Sequence, residues 1–266
     1  MTRAMGSRRR VLLAVAMGIA ALLTRLSPAL ADTIIFQPGP GLNDGTDDGS
    51  LLAGKDAKVS VANAYPSDHV TNFGTVATIT LFDSIQGSYW KSWAYLQFDV
   101  SNLPPSYQVS EARLVVNQVF AANYYPWPEG ATTNVVQTPL GPWDEMTLTW
   151  DNQPALDPTI EASVVIPMPA RFPFISEREV SLDITDLYMG WRSGARENYG
   201  LVYRQDQEFV ANGVANYVHT SDHADEALWP RLEIDYEAVD PVVPEPATLS
   251  LLAAGVLGIL ARRRKR

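Results

Sequence analysis

AYLQFDV, residues 94–100, sets the architecture. Ala94, Leu96, Phe98 and Val100 fall on one side of an extended chain, and Tyr95, Gln97 and Asp99 on the other. A period of two with one polar face is the mark of a half-buried antiparallel strand. The alternation returns where Val180, Leu182 and Ile184 interleave with Ser181 and Asp183, and again where Leu232, Ile234 and Tyr236 interleave with Arg231, Glu233 and Asp235. Weaker runs cover residues 57–61, 77–81, 112–120, 161–166 and 201–203, and turn-rich stretches at 38–50, 102–106, 123–130 and 151–158 separate them. Many short strands with this punctuation predict an all-β sandwich or barrel rather than alternating α/β units.

One segment departs from the pattern. Ile184, Leu187, Tyr188 and Trp191 recur at i, i+3, i+4 and i+7, the stripe of a short amphipathic helix. Asp183 or Thr185 starts it and Gly194 closes it, which places a two-turn helix across one end of the sandwich. No internal repeat or second composition class appears, so residues 32–239 read as a single domain.

Both ends read as address labels. Residues 1–31 form a secretory signal peptide: a leader carrying Arg3, Arg8, Arg9 and Arg10, an apolar core at 11–23, and a small-x-small cleavage site at Ala29-Leu30-Ala31. Ser7-Arg8-Arg9-Arg10-Val11-Leu12 also resembles a twin-arginine export signal, although an ordinary positive leader needs the same residues. Residues 240–266 form a Pro-containing linker and a tail. Within it, Val243, Pro244, Glu245 and Pro246 precede an uncharged apolar run (247–261) and five basic residues, Arg262 to Arg266. As a helix the fifteen residues of the run reach roughly 22 Å, short of a ~30 Å hydrocarbon core. The basic terminus belongs on the cytoplasmic side, with the rest of the chain outside. Motif, short span and basic end, in that order, resemble a PEP-CTERM sorting signal. The resemblance implies signal peptidase and exosortase as processing partners. It also implies a transient inner-membrane intermediate, and final residence at the cell surface or in the extracellular matrix of a bacterium that makes exopolysaccharide.

Without these ends the charge balance changes. The whole chain carries −10, but residues 32–245 hold thirty acids against ten bases, a net of −20. Such a surface repels nucleic acid and anionic lipid, so neither is an expected partner. The chain has no cysteine, which removes disulfides, thiolate chemistry and Cys-based zinc sites. A hydrophobic core must therefore hold the domain, and its length suffices to bury roughly 70% of the unfolded surface.

Further stretches carry a family resemblance. They are QPGPGLNDG (37–45), GKDA (54–57), Asn72-Phe73-Gly74, LQFDVSNLP (96–104) and WDEMTLTWDNQPA (143–155), followed by DITDLYMGW (183–191), YGLVYR (199–204) and WPRLEIDY (229–236). Their order and spacing resemble the DNRLRE domain of exported bacterial and archaeal proteins, itself similar to a group of carbohydrate-binding modules. The resemblance implies a jelly-roll-like antiparallel β-sandwich with one short helix, flanked by the N-terminal signal helix and the C-terminal apolar helix, and a non-catalytic role. The Asp-rich insertion near Asp44 and the aromatic segment near Tyr124 depart from the family pattern, so the ligand does not carry over.

Trp143 and Trp150 read first as structural, with Trp150 ending an alternating strand (Met146, Leu148, Trp150) and its indole packed over the turn at Asn152-Gln153-Pro154. The expected sugar contacts are aromatics outside the alternation. Tyr124, Tyr125 and Trp127 lie among prolines in a loop, and Tyr89 and Trp90, with Trp93 close by, lie at a loop–strand junction. A sugar ring offers a C–H face that stacks on indole or phenol while neighbouring polar groups meet its hydroxyls. The alternative is that these rings cap the open end of the sandwich and are buried.

For a metal, Asp44, Asp47 and Asp48 in a glycine-bearing loop supply the oxygens that calcium takes at ~2.4 Å. Asp44, Thr46, Asp48 and Gly49 match the first half of an EF-hand loop, but Lys55 stands where its bidentate Glu is required, so any calcium site there has another geometry, and a solvated acidic loop is the alternative. His219 and His223 lack a helical stripe around them and read as an exposed polar loop between strands. No Gly-x-Ser-x-Gly elbow or phosphate-binding loop is present. Three functions stay open: a module that binds extracellular polysaccharide, a structural matrix or adhesion protein without glycan binding, and, last, a polysaccharide-cleaving enzyme with two facing carboxylates in a cleft.

Overall fold

The computed structural model describes residues 32–39, 54–63, 65–84, 90–100, 107–122, 130–168, 174–206 and 215–238. Residues 1–31 and 240–266, read above as address labels, and Asp44, Asp47, Asp48, Tyr89, Tyr124, Tyr125 and Trp127 all lie outside the described residues.

The strands are β1 (Asp32–Phe36), β2 (Gly54–Ala62), β3 (Thr78–Ser84), β4 (Trp90–Phe98), β5 (Tyr107–Ala122), β6 (Gly130–Gln137), β7 (Ala162–Met168), β8 (Phe174–Asp183), β9 (Leu201–Gln205), β10 (Ala215–His219) and β11 (Arg231–Ala238). All their pairings are antiparallel. One sheet is built from β1, β11, β5, β8, β10 and β3, and the other from β2, β4, β9, β6, β7 and again β3. Strand β3 joins them: Thr78 to Leu81 pair with β10, whereas Phe82 to Ser84 pair with β4. The all-β sandwich expected from the alternation is the fold.

Its main core is what the period of two dictates. Ala94, Leu96 and Phe98 of β4, Leu114 and Val116 of β5, Leu201 and Tyr203 of β9, and Leu232 and Ile234 of β11 all bury completely between the sheets. Each such aliphatic side chain is worth roughly 1.5–3 kcal/mol of transfer free energy. One polar knot crosses this layer. Tyr203 Oη donates to Gln118 Oε1 (3.1 Å) and accepts from Asn134 Nδ2 (2.8 Å), so β9 and β6 of one sheet are tied to β5 of the other with the buried hydroxyl satisfied.

The helix, α1 (Thr185–Ser193), buries Leu187, Tyr188 and Trp191 against this core. Asp183 holds its start by accepting from the Thr185 amide (2.9 Å) and hydroxyl (2.6 Å). Gly194, at φ 71°, closes it in the left-handed conformation that costs glycine nothing.

Two expectations change. The polar face read on β4 is covered: Tyr95 is as fully buried as Leu96, because residues 138–160 fold over the outer face of its sheet. A second, smaller core of Ala57, Val59, Tyr95, Trp143, Leu148 and Val202 fills the space between, with Trp93, Trp150 and Leu156 packed on it. Met146 to Trp150 is likewise not a strand. Asp144 accepts from the Met146 amide and the Thr147 hydroxyl, and its carbonyl accepts from the Leu148 amide (2.8 Å), which curls the chain into a turn.

Candidate functional site

The covering segment is locked by its own side chains. Trp143 Nε1 donates to the Tyr199 carbonyl (2.8 Å), and its ring meets Tyr95 edge-on at 5.5 Å. Asn152 accepts from the Thr149 amide (2.7 Å) and donates to the Thr147 carbonyl (2.8 Å). Gln153 accepts from Tyr95 Oη (2.9 Å) and donates to the Trp150 carbonyl (3.0 Å). The structural reading of Trp143 holds, since it is 6% exposed, although its partner is distant in sequence rather than local.

Beside this lid lies an open cavity of about 550 Å³, lined by Trp93, Gln137, Gln153, Leu156, Arg204 and Asp206 among others. Its floor follows from strand register. Ala94 pairs with Tyr203 and Val136 with Tyr203, so Trp93, Arg204 and Gln137 belong to the outward-facing rows of β4, β9 and β6. Trp93 is half-buried; its ring lies 4.7 Å from Trp150, and the Arg204 guanidinium sits over it at 5.7 Å. Arg204 Nε donates to Gln137 Oε1 (2.7 Å) and Nη1 to the Gln205 carbonyl (2.8 Å), which fixes the guanidinium in place. The volume lies within the ordinary range of ligand sites, ~300–1,000 Å³. An indole, a guanidinium and the Gln137 carboxamide on strands, with the Gln153 carboxamide from the covering segment, can stack against a ring and bond to hydroxyls.

Trp90 is the described member of the aromatic set singled out in the sequence. It stands three residues from Trp93 and therefore on the opposite face of β4. Its N–H donates to Ser60 Oγ (3.2 Å), and Tyr65, 56% exposed, meets its ring edge-on at 6.0 Å. Tyr65 was not legible as its partner, because a turn rather than a strand delivers it.

A second constellation gathers elsewhere. One carboxylate oxygen each of Asp56 (β2), Glu145 (the covering segment) and Asp222 (the loop after β10) lie within 4.8 Å of one another, an arrangement able to hold a metal ion. Asp56 is 1% exposed and Glu145 is wholly buried. The Ser221 amide donates to Asp56 Oδ2 (2.7 Å). Neither oxygen of Glu145, nor Oδ2 of Asp222, nor the buried Ser221 hydroxyl has a hydrogen-bond partner of ordinary geometry.

Burial raises all three acids. Asp56 is pushed up to about 7 by loss of water, against the pull of its Ser221 bonds and with a further push from Asp222. Glu145 rises to about 8, first from burial and then from the Asp56 charge. Asp222 rises from burial alone. Lys55 is the nearby cation, its ammonium bonded to the Trp143 carbonyl and 4.5 Å from the Trp143 ring centre. Asn72 Nδ2 holds the Glu145 carbonyl (2.7 Å), and a Cβ at Gly74 would collide with that carbonyl.

The sequence reading missed this set because its strand run starts at Ala57 and its metal candidates lay elsewhere, at Asp44, Asp47 and Asp48. Both faces of β2 are covered, so Asp56 and Ser60 turn inward. His219 differs from expectation in the same way: it closes β10, is 8% exposed, bonds Glu177 (3.1 Å) and stacks on His223 at 4.3 Å.

Comparison with known families completes the picture. Residues 55–228 match carbohydrate-binding module family 96, and residues 242–265 match the PEP-CTERM protein-sorting motif. That motif indicates export, exosortase processing, and residence at the cell surface or outside the cell. Comparison with curated proteins gives no match.

Proposed function

Since the chain belongs to carbohydrate-binding module family 96, we propose that it is an exported, non-catalytic protein that holds extracellular polysaccharide on the outer face of one sheet. The observation that carries this is the open cavity in which Trp93, Arg204 and Gln137 face outward from three adjacent strands. A sugar ring stacks on the Trp93 indole, and Arg204 and Gln137 meet its hydroxyls. The loop aromatics Tyr124, Tyr125 and Trp127, with Tyr89 and Trp90, are the second candidate surface. The DNRLRE resemblance covers the same sandwich and implies the same non-catalytic role.

In this reading the chain has three parts: a signal peptide (1–31), the module (32–239), and a linker with the sorting tail (240–266). The tail holds the chain briefly in the inner membrane before exosortase acts. Among the described residues no helix is long and apolar enough to cross a membrane. Calcium enters as an ion of the scaffold rather than a bridge to the sugar. A non-catalytic role agrees with the carboxylates: Asp56 and Glu145 are wholly buried and closer than the ~5–9 Å of a glycosidase pair.

A glycan array of the full chain tests the proposal. Binding to at least one polysaccharide is expected, weakened roughly tenfold or more by Trp93→Ala and less by Arg204→Ala. If instead Trp127→Ala abolishes binding and Trp93→Ala leaves it intact, the loop aromatics are the site. No binding by the wild type leaves the structural matrix role, which one observation favours: Arg204, Gln137 and Gln153 already bond within the protein.

A further inference from the structure

We infer that Asp56, Glu145 and Asp222, with the Ser221 hydroxyl, form a calcium site that pins the covering segment and the loop after β10 to strand β2. The inference rests on reading calcium as a scaffold ion, but not on sugar binding. Three carboxylates brought together, Asp56 and Glu145 wholly buried and Asp222 partly so, repel one another and have lost much of their water, a cost that protons or a cation can offset. All the available donors are oxygens, which selects a hard cation. Ligands on opposite sides of a calcium ion at ~2.4 Å stand at most about 4.8 Å apart, and the three carboxylate oxygens fall within that limit. Magnesium needs a stricter octahedron at ~2.0–2.1 Å and keeps several of its waters, which suits a buried site poorly.

The orphaned groups point the same way, and one of them, the Ser221 hydroxyl, lies outside the trio of acids. A wholly buried carboxylate without a well-formed hydrogen bond is rare in a native protein, yet Glu145 is 0% exposed and only the Asp56 amide lies near its oxygens, outside ordinary hydrogen-bond geometry. Ser221, also 0% exposed, turns its hydroxyl beside the Asp56 carboxyl without a good bond of its own. The Ser221 amide occupies Asp56 Oδ2. Lys55 is engaged with the Trp143 carbonyl and ring; its charge is felt at Glu145, but the two form no ion pair.

Each ligand is also set by its own local constraint. Register fixes Asp56 opposite Leu96. The Asn72 bond and the Gly74 contact fix the backbone at Glu145. The pairing of Thr220 with Ala77 and Val76 fixes the turn that carries Ser221 and Asp222.

The test uses the full chain, stripped with EDTA, then titrated with calcium chloride and followed by bound-metal analysis and thermal unfolding. One calcium per chain is expected, with a rise in Tm of roughly 5–10 °C at a hundredfold excess over the dissociation constant. Glu145→Gln is isosteric and removes one charge. It should melt no lower than wild type in EDTA yet lose the calcium-induced rise. Ser221→Ala, a milder change, should weaken calcium several-fold if Glu145→Gln does not fold. A wild type that binds no calcium, its acids satisfied by protons, overturns the inference. So does calcium binding that survives Glu145→Gln but is lost when Asp44, Asp47 and Asp48 are changed to Asn. Because the readouts contain no glycan, failure of sugar binding and failure of this site are distinguished.

Discussion

The outer-face cavity and the buried acid cluster share one scaffold element and treat polar groups in opposite ways. In the cavity every carboxamide and the guanidinium has a partner inside the protein, although the buried Trp93 indole N–H has none. In the cluster, Asp56, Glu145 and Ser221 are buried, Asp222 is partly so, and four oxygens lack ordinary partners. The first arrangement is stable without a ligand and can only offer stacking area and shared hydrogen bonds. The second is costly until something positive arrives. Reversible contact belongs to the satisfied surface, and obligatory structure to the unsatisfied interior.

The strongest way to break this contrast is to remove what the two regions share. The covering segment carries Glu145 into the cluster and Gln153 and Leu156 to the cavity, and Trp143 anchors it. Trp143→Ala should cost about 3–5 kcal/mol, lowering Tm by roughly 10 °C or more, and should weaken both calcium and glycan binding. Loss of only one of them would show that the regions do not depend on the segment jointly.

Acidity separates them next. In the metal-free protein the folded-state pKa values of Asp56 and Glu145, about 7 and about 8, lie above their ordinary 3.8 and 4.5. Across that interval the folded chain therefore holds more protons than the unfolded one, and stability falls as pH rises through it. Thermal unfolding in EDTA should give a Tm several degrees lower at pH 8 than at pH 5, and saturating calcium should abolish the difference. Asp183, whose pKa is lowered by its bonds to Thr185, acts in the opposite sense only at lower pH, whereas His219, lowered by burial and by His223, opposes the trend of the two acids within the interval. A Tm that rises from pH 5 to pH 8 in EDTA would contradict the cluster's electrostatics.

Trp93→Ala sharpens the contrast from the other side. Trp93 is only half-buried, so Tm should drop by a few degrees while the calcium-induced rise stays unchanged. The smallest effect belongs to a change outside both regions. Gly194→Ala forces a left-handed residue to carry a Cβ, which should cost about 1 kcal/mol, or roughly 2–4 °C, with both ligands bound as before.

The fold was readable because its signals are local. Alternation at Ala94, Leu96 and Phe98, the i, i+3, i+4, i+7 stripe ending at Trp191, and Gly194 as a stop each depend on a few neighbouring residues. The sites depend on what lies above a strand, which alternation cannot encode. Tyr95 reads as outward and is outward, yet a segment some fifty residues later covers it. Asp56 precedes the alternating run that starts at Ala57, and its companions Glu145 and Asp222 come from two distant turns. Trp90 and Trp93 look like one aromatic group in sequence, but a spacing of three puts them on opposite faces. The Tyr124–Trp127 and Asp44–Asp48 loops lie outside the described residues, so these expectations stand as proposals.

The most direct measurement is a binding isotherm for one polysaccharide bound by the wild type, repeated with Trp93→Ala in saturating calcium. At least tenfold weaker binding by the variant, with its calcium-induced rise in Tm intact, is the result expected. Equal affinity for the two proteins would contradict the assignment of the outer-face cavity as the place where this module holds sugar.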